Sequence, residues 1–266
     1  MLVQARDLCL DVPDMGHQPG FGKRRMLRIL KHVSLDIARG ETVGIVGESG
    51  SGKTSLGRTL LRLYEPSQGQ LRFGGIDITH LARDRMKPLR RRMQMIFQDP
   101  QSSLNPRHTI AAILGGAMRL HGMEADSGTL GGLLARVGLP ASALGRYPHQ
   151  LSGGQRQRVG IARAIALKPE FVVADEIVSG LDVSTQAQVL ELLKGLKSEF
   201  GLALAFISHD LSVIRHICDR VVIMRAGEIV ESGGTADIFR APKSEFTRAL
   251  INAIPLPVPD ETWLEG

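Results

Sequence analysis

A short glycine-rich segment constrains the fold of this chain more than any other feature of its sequence. Gly47–Thr54 reads GESGSGKT and fits the pattern G-x-x-x-x-G-K-[ST]. The β-branched run Thr42–Val46 precedes it, and leucines at helical spacing follow it from Leu56 to Leu63. A strand, a glycine turn and a helix N-terminus in this order place backbone N–H groups around a phosphate. The segment therefore predicts an α/β fold built around a phosphate-binding loop.

The residues of this loop have expected parts in binding a nucleoside triphosphate. We expect Lys53 to reach the β- and γ-phosphates and Thr54 to offer its hydroxyl to Mg²⁺. A glycine turn that merely joins a strand to a helix is the competing interpretation, and the flanking strand and helix disfavour it. The predicted nucleotide contacts are Gly47, Glu48, Ser49, Gly50, Ser51, Gly52, Lys53, Thr54 and Ser55.

A second candidate site follows the apolar strand Phe171–Ala174, which runs into Asp175 and Glu176. In a phosphate-loop protein such a strand usually lies beside the strand of the loop, so we expect it to neighbour Thr42–Val46. Asp175 would then hold Mg²⁺, and Glu176 would orient or deprotonate the attacking water. Taken alone, two acids at a strand end are more often solvated loop residues or helix caps. The phosphate loop earlier in the chain favours the functional interpretation.

Hydrophobic spacing predicts alternating strands and helices in the second half of the chain. Strands at Phe171–Ala174, Leu202–Ile207 and Val221–Met224 are separated by the helical patterns Ser184–Phe200 and Leu211–Ile217. This order favours a mainly parallel sheet with helices on both faces.

Two further parts accompany this sheet. Early strands and a hairpin at Gly74 and Gly75 predict a small antiparallel β part. Between residues 99 and 167 no strand pattern occurs, and Ile110–Leu120 and Leu130–Val137 have helical spacing, so we predict an inserted helical subdomain. The predicted division is a core with the N-terminal β part, a helical subdomain, and a C-terminal helix with a Pro-rich tail: residues 1–98 with 168–235, 99–167 and 236–266.

The composition excludes several classes of protein. Of the 266 residues, 43% are hydrophobic, which argues against disorder. The net charge of +6 is modest and the chain has only two Tyr and one Trp, which argues against a nucleic-acid partner. Cys9 and Cys218 are too few for a disulfide framework or a Cys-rich metal site. The longest apolar run, Leu202–Ile207, has the length of a strand, and Arg6 and Asp7 do not suit a signal peptide. We therefore expect a cytosolic protein.

The pentapeptide LSGGQ at Leu151–Gln155 is a third candidate site. Ser152 suits a helix N-cap, and two glycines at a helix start make a second cradle for an anion. The phosphate loop already accounts for the phosphates of one nucleotide. We therefore expect the LSGGQ segment to serve a nucleotide bound by a neighbouring subunit.

The order of phosphate loop, LSGGQ and Asp-Glu strand resembles the ATP-binding cassette (ABC) ATPases, and the resemblance runs from Leu2 to about Ile254. It implies a RecA-like core, with ATP and Mg²⁺ as cofactors. It implies that Gln98 reaches the metal and senses the γ-phosphate, and that His209 contacts the γ-phosphate. The loop containing Asp182 is expected to cross a dimer interface. The resulting sites are catalytic Glu176, His209 and Gln98, metal-binding Thr54, Gln98 and Asp175, and nucleotide-binding Ser152, Gly153, Gly154, Gln155 and Asp182.

Longer matches resemble the ATPase subunits of dipeptide, oligopeptide and nickel importers. They comprise Phe97–Pro100 with Ser103–Arg107, Asp182–Ser184 with Gln186–Val189, and Phe246–Leu250.

Three departures from the family accompany these matches. Ile177 and Val178 stand where Pro-Thr is usual, which we expect to leave hydrolysis intact. Phe21 is the nearest aromatic residue for stacking on adenine, although its spacing is poor. A Cys-rich C-terminal extension is missing, so no iron–sulfur cluster is expected.

The resemblance implies a subunit that hydrolyses ATP to energise a membrane importer for peptides or for nickel or other metal chelates. The expected partners are a second ATPase subunit, in a homodimer or a heterodimer, two integral membrane permease subunits, and an extracytoplasmic substrate-binding protein that acts through them. The expected location is the cytoplasmic face of the bacterial inner membrane. The alternative is a soluble ABC ATPase that serves an enzyme complex such as phosphonate breakdown. A DNA-repair or translation ABC protein is disfavoured, because no long coiled-coil insertion or second cassette is present.

Overall fold

A computed structural model of the protein describes residues 1–14, 25–99 and 103–253. Phe21, Pro100 and the Pro-rich segment after residue 253 lie outside these ranges, so the predictions made for them stay predictions. The described residues form two sheets and a set of helices, and the α/β class predicted from the sequence is confirmed.

The first sheet is the predicted antiparallel β part. Its strand order is β2-β1-β4-β5, and each neighbouring pair is antiparallel. Gly74 and Gly75 form the turn between its last two strands, as the hairpin pattern predicts. The strands are β1 Val3–Pro13, β2 Met26–Ile37, β4 Gln68–Phe73 and β5 Ile76–Asp77.

The second sheet has six strands in the order β10-β9-β3-β8-β7-β6. All its pairs are parallel except the edge pair of β9 and β10. The sequence pattern missed β10, an edge strand whose residues are all exposed or half-buried and which therefore carries no apolar run. The strands are β3 Thr42–Gly47, β6 Met93–Ile96, β7 Phe171–Asp175, β8 Ala203–Ile207, β9 Arg220–Arg225 and β10 Glu228–Gly234.

The sequence predicts that the strand ending at Asp175 lies next to β3, and this prediction is wrong. In the structure β8 lies between these two strands. β8 pairs in parallel with both, and all five of its residues are buried. Helix α1 (Lys53–Leu60) nevertheless packs on both β8 and β7. A Cβ atom at Gly57 would lie 2.8 Å from side-chain atoms of Ile207 and Val173, so a bare glycine lets the helix approach both strands. The start of α1 thus still reaches Asp175.

The helices agree with the predicted pattern over most of their length. Among the described residues of the 99–167 segment there is no strand. The helix predicted over Leu130–Val137 begins earlier, because Asp126 caps it by accepting the N–H of Thr129 at 2.9 Å. Gly201, with a φ of 62°, ends the longest helix as predicted. After α1 the helices are α2 Arg83–Arg90, α3 Ile110–Leu120, α4 Ser127–Arg136, α5 Gly153–Ile165, α6 Val183–Phe200, α7 Leu211–Ile217, α8 Thr235–Arg240 and α9 Glu245–Asn252.

The core lies on both faces of the six-stranded sheet. Alternate residues of β7 belong to different clusters: Phe171 and Val173 pack with α1 and the antiparallel sheet, whereas Val172 and Ala174 pack with the helices of the other face. None of the helices within the described ranges combines the length and apolar character that a membrane span requires.

Candidate functional site

The phosphate loop joins the end of β3 to the start of α1. Gly47 has a φ of 153°, and a Cβ atom there would lie 2.1 Å from the backbone oxygen of Met224. Gly52 occupies the N-cap of α1 with a φ of 99°. Glycine is required at both positions, because the first has no space for a side chain and the second is left-handed. α1 has no side-chain cap, so its first N–H groups are available to a ligand.

The Lys53 side chain is held against the phosphate loop by hydrogen bonds to the loop backbone. Its Nζ donates to the backbone oxygens of Gly47 and Glu48, each at 2.8 Å, and the residue is only 6% exposed. Burial lowers the pKa of Lys53, and the negative charges of Glu176 and Asp175 partly oppose this shift. The ammonium group is thus desolvated beside the loop, where an anionic ligand would compensate the lost hydration.

Thr54 and Asp175 meet at the carboxyl end of the sheet. The hydroxyl of Thr54 donates to Oδ1 of Asp175 at 3.0 Å. Asp175 is buried, and burial raises its pKa, while the hydrogen bond from Thr54 opposes the shift. A buried carboxylate next to a hydroxyl suits Mg²⁺, which prefers oxygen ligands and takes few from the protein. No group of three or more His, Cys, Asp or Glu residues that could hold a metal occurs in the described part of the chain.

Glu176 receives two polar side chains from the neighbouring strand ends. Gln98 Nε2 donates to Glu176 Oε2 at 3.0 Å, and His209 Nδ1 lies 3.4 Å from the same oxygen. Glu176 itself has a φ of 47°, which is strained for a residue with a side chain. Its N–H donates to the oxygen of Ile207 at 3.0 Å, which fixes the turn that aims the carboxylate. The structure therefore brings all three predicted catalytic residues together.

One cavity of about 510 Å³ joins the loop to this polar group. Sequence reasoning missed Ile29, whose place in the cavity depends on how β2 crosses the loop and carries no local signal. Among the predicted residues, Gly47, Glu48, Ser51 and Asp175 do not line this cavity. Its lining consists of Ile29, Ser49, Gly50, Gly52, Lys53, Thr54, Ser55, Gln98, Glu176 and His209.

The LSGGQ segment forms the start of α5. Ser152 Oγ accepts the N–H of Gln155 at 3.3 Å, and Gln155 Oε1 accepts the N–H of Ser152 at 3.0 Å, which completes a capping box. Asp182 caps α6 in a similar way through Thr185. The hydrogen bond from the Thr185 backbone N–H is the main reason that the pKa of Asp182 is lowered. Both helix starts are therefore capped by a side chain of the residue that precedes the helix.

These two helix starts line a second cavity, of about 480 Å³. It contains Ser152, Gly153, Gly154, Gln155 and Asp182 together. None of these residues lines the phosphate-loop cavity, and no phosphate-loop residue lines this one. The predicted nucleotide contacts of one chain thus fall into two separate clefts.

The fold and the first cleft define a phosphate-loop nucleotide-binding protein with a parallel core sheet. Residues 30–179 match the family model described as ABC transporter, and the chain belongs to this family. The family predicted from the sequence is thereby confirmed.

Relatives of this chain include proteins named for transport. A protein of Brucella ovis named as a peptide import ATP-binding protein is 52% identical over 237 residues, which cover 88% of this chain and 75% of the relative. The oligopeptide transport ATP-binding protein AppF of Bacillus subtilis is 50% identical over 228 residues, covering 84% of this chain and 69% of AppF. The likeness thus extends over most of both chains.

A solved structure supports the fold independently. The ATP-binding cassette MJ0796, in a dimeric post-hydrolysis state bound to ADP and Pi, superposes with a TM-score of 0.76 at 28% identity. The match covers 88% of this chain and 98% of the other. The fold class predicted from the sequence is that of this cassette.

Proposed function

We propose that this chain is the ATP-binding and ATP-hydrolysing subunit that energises a membrane importer for peptides. The names of the relatives in Brucella and Bacillus support peptides as the cargo. Nickel or metal chelates, the other cargo class predicted from the sequence, find no support in those names. A soluble ATPase serving an enzyme complex is disfavoured for the same reason. The structural observation that carries the proposal is the separation of the nucleotide contacts into two clefts.

We assign roles in ATP hydrolysis to individual residues from the geometry of the phosphate-loop cavity. Lys53 binds the phosphates, and the N–H groups at the start of α1 surround them. Glu176 orients the attacking water and accepts its proton, since its carboxylate projects into the cleft. Gln98 and His209 contact Glu176 from two sides, and they would contact the terminal phosphate of a bound nucleotide. Distances within one chain support these roles.

Mg²⁺ is the metal that suits this cleft. Thr54 and Gln98, which line the cleft, would hold it through a hydroxyl and an amide oxygen. Asp175 lies outside the cavity lining but contacts Thr54, and it would hold the metal through its carboxylate. When bound, Mg²⁺ neutralises charge on the phosphates. The buried Asp175 keeps its place through the Thr54 hydroxyl.

A second ATPase subunit completes the site. We call the LSGGQ residues Leu151–Gln155 the signature segment. Because Ser152, Gly153 and Gly154 of this segment lie in a different cleft from the phosphate loop of their own chain, they are free to contact the nucleotide of a partner. The phosphate loop likewise leaves the outer face of its nucleotide for the partner's signature residues. Closure of the pair follows from a higher affinity of the closed state for ATP than for ADP.

A groove next to Gln98 offers a surface for the permease subunits. It has a volume of about 510 Å³, and Leu63 projects into it with 48% exposure. Phe97, the residue before Gln98, also lines it, so a contact here adjoins the catalytic cleft. Its lining is Leu61, Leu63, Arg90, Met93, Gln94, Met95, Phe97, Ser103 and Arg163.

Docking on a permease would hold the chain at the cytoplasmic face of the inner membrane, as a peripheral subunit. A substrate-binding protein on the other side would act through the permease. The division of the chain into a core, a helical subdomain and a C-terminal segment stays part of this proposal: residues 1–98 with 168–235, 99–167 and 236–266.

Leu63→Glu tests the permease groove. The substitution places a charge in an apolar contact, so we expect the amount of permease that co-purifies with the chain to fall by about tenfold or more. ATP binding should persist, because Leu63 lines the groove and not the phosphate-loop cavity. Pull-down of the importer from detergent-solubilised membranes measures the first quantity, and nucleotide titration measures the second.

Leu120→Glu is the matched control, because Leu120 is 72% exposed on α3 and lies outside the groove. It should co-purify with permease as the unaltered chain does. Failure of the unaltered chain to bring down any integral membrane protein would contradict the importer proposal. Equal recovery with both variants would exclude this groove as the contact.

A further inference from the structure

The signature segment and Asp182 are joined within one chain by a line of contacts between α5 and α6. Gly154 contacts Thr185, and one turn further along each helix Arg158 contacts Gln188. We call these four residues the α5–α6 seam. The spacings of four residues on α5 and three on α6 put each pair of positions on one helix face. All four seam residues line the second cavity together with the two helix starts.

The first contact depends on a glycine. A Cβ atom at Gly154 would lie 2.7 Å from Cγ2 of Thr185, so the two helices approach closely only because that side chain is missing. The hydroxyl of the same Thr185 donates to Asp182 Oδ2 at 2.7 Å, and its N–H donates to Oδ1 at 2.9 Å. One side chain therefore holds Asp182 through its hydroxyl and the signature segment through its methyl group.

The second contact is a hydrogen bond to a guanidinium group. Arg158 Nη2 donates to Gln188 Oε1 at 2.7 Å, and Nη1 donates to the backbone oxygen of Val137 at 3.0 Å. Val137 is the C-cap residue of α4, so Arg158 links three helices. Since a charged donor makes the stronger kind of hydrogen bond, this contact resists sliding of α5 along α6.

We propose that Thr185 and Gln188 are positioning residues for ATP hydrolysis at the partner's nucleotide. They hold the signature segment and Asp182 as one rigid surface, so that both reach that nucleotide in a single movement. This inference rests on the proposed function, in which the two elements act across a dimer. Neither residue lines the phosphate-loop cavity, so loosening the seam lowers turnover without changing how a chain binds its own ATP.

Paired substitutions separate positioning from folding. Gln188→Ala removes the acceptor for Arg158, whereas Gln188→Glu retains one. Thr185→Ser keeps the hydroxyl that holds Asp182 and removes the methyl group against Gly154. In the purified importer we expect kcat for ATP to fall about tenfold in the combined Thr185→Ser, Gln188→Ala variant. Gln188→Glu should stay within about twofold of the unaltered protein. Ser198→Ala, an exposed hydroxyl deletion near the far end of α6, is the control.

Hydrogen exchange at the amides of α5 distinguishes a positioning role from an effect confined to α6. If Thr185 and Gln188 acted only within α6, their substitution would not change exchange on α5. In the combined variant we expect faster exchange at the amides of residues 153–157, although both substitutions lie on α6. ATP affinity and melting temperature should match those of the Ser198→Ala control.

Unchanged kcat and unchanged exchange at residues 153–157 would overturn the inference. A parallel loss of ATP affinity would also overturn it, because the seam would then support the whole fold. If the unaltered importer hydrolyses ATP and the seam variants match it, the proposed function stands and only the seam fails. An unaltered complex without ATP hydrolysis would contradict the proposed function itself.

Discussion

Glu176→Gln is expected to reduce the rate of ATP hydrolysis by about 10²–10⁴-fold while ATP remains bound. The amide retains the size of the carboxylate but cannot accept a proton from the attacking water. Lys53 and the N–H groups of α1 are untouched by the change, so the phosphates keep their contacts. Because the closed pair reopens only after hydrolysis, the variant should accumulate as an ATP-bound dimer. Steady-state phosphate release and gel filtration with ATP measure the two effects.

Glu245→Gln is the matched control, because Glu245 is an exposed acid in the first turn of α9. It should hydrolyse ATP at the unaltered rate. If Glu176→Gln hydrolysed ATP at the unaltered rate, Glu176 would not be the residue that accepts the proton of the attacking water. A loss of hydrolysis together with a loss of ATP binding would indicate instead that Glu176 is needed to build the cleft.

The phosphate loop and the catalytic group were predictable because their signals are local. The glycines that the loop requires stand in fixed spacing after a buried strand. Gln98, Glu176 and His209 each follow an apolar strand, and the carboxyl ends of parallel strands meet at one edge of the sheet. The contacts of Gln98 and His209 with Glu176 Oε2 also depend on strand order, because β6 and β8 are the two neighbours of β7. The sequence did not predict these contacts.

Strand order itself could not be read from the sequence. β3, β7 and β8 are all short buried strands, and nothing in an apolar run says which of them pair. The expectation that β7 lies next to β3 failed for this reason. The contact between Thr54 and Asp175 survives because Gly57 lets α1 lie close to both β7 and β8.

Contacts between distant segments were also beyond the sequence. Ile29 reaches the cleft because its backbone oxygen passes close to Gly52 and Gly227, which depends on how the two sheets meet. The approach of Thr185 to Gly154 depends on the packing of α6 against α5. In each case a glycine marks the contact, but the sequence does not identify the segment that fills the space.

Lys53→Met is expected to weaken ATP binding by about 100-fold. A hydrogen bond from a charged group contributes roughly 1.5–3 kcal/mol, and the ammonium group reaches two phosphates in the proposed complex. Methionine retains an unbranched aliphatic side chain at the buried position of Lys53. Burial lowers the pKa of Lys53 because it disfavours the charged ammonium group. At neutral pH the buried charge therefore lowers the free energy of unfolding. Removing that charge offsets the two lost hydrogen bonds to Gly47 and Glu48.

The melting temperature separates the effect on binding from an effect on folding. Without nucleotide the variant should melt within a few degrees of the unaltered protein. With ATP at about 100 times its Kd the unaltered protein gains about 2.7 kcal/mol, and the variant should gain almost none. Lys87→Ala, an exposed lysine on α2, should keep the full ATP-dependent increase. A full increase in Lys53→Met would contradict the phosphate-loop assignment, because the buried ammonium would then serve only the loop's own carbonyl groups.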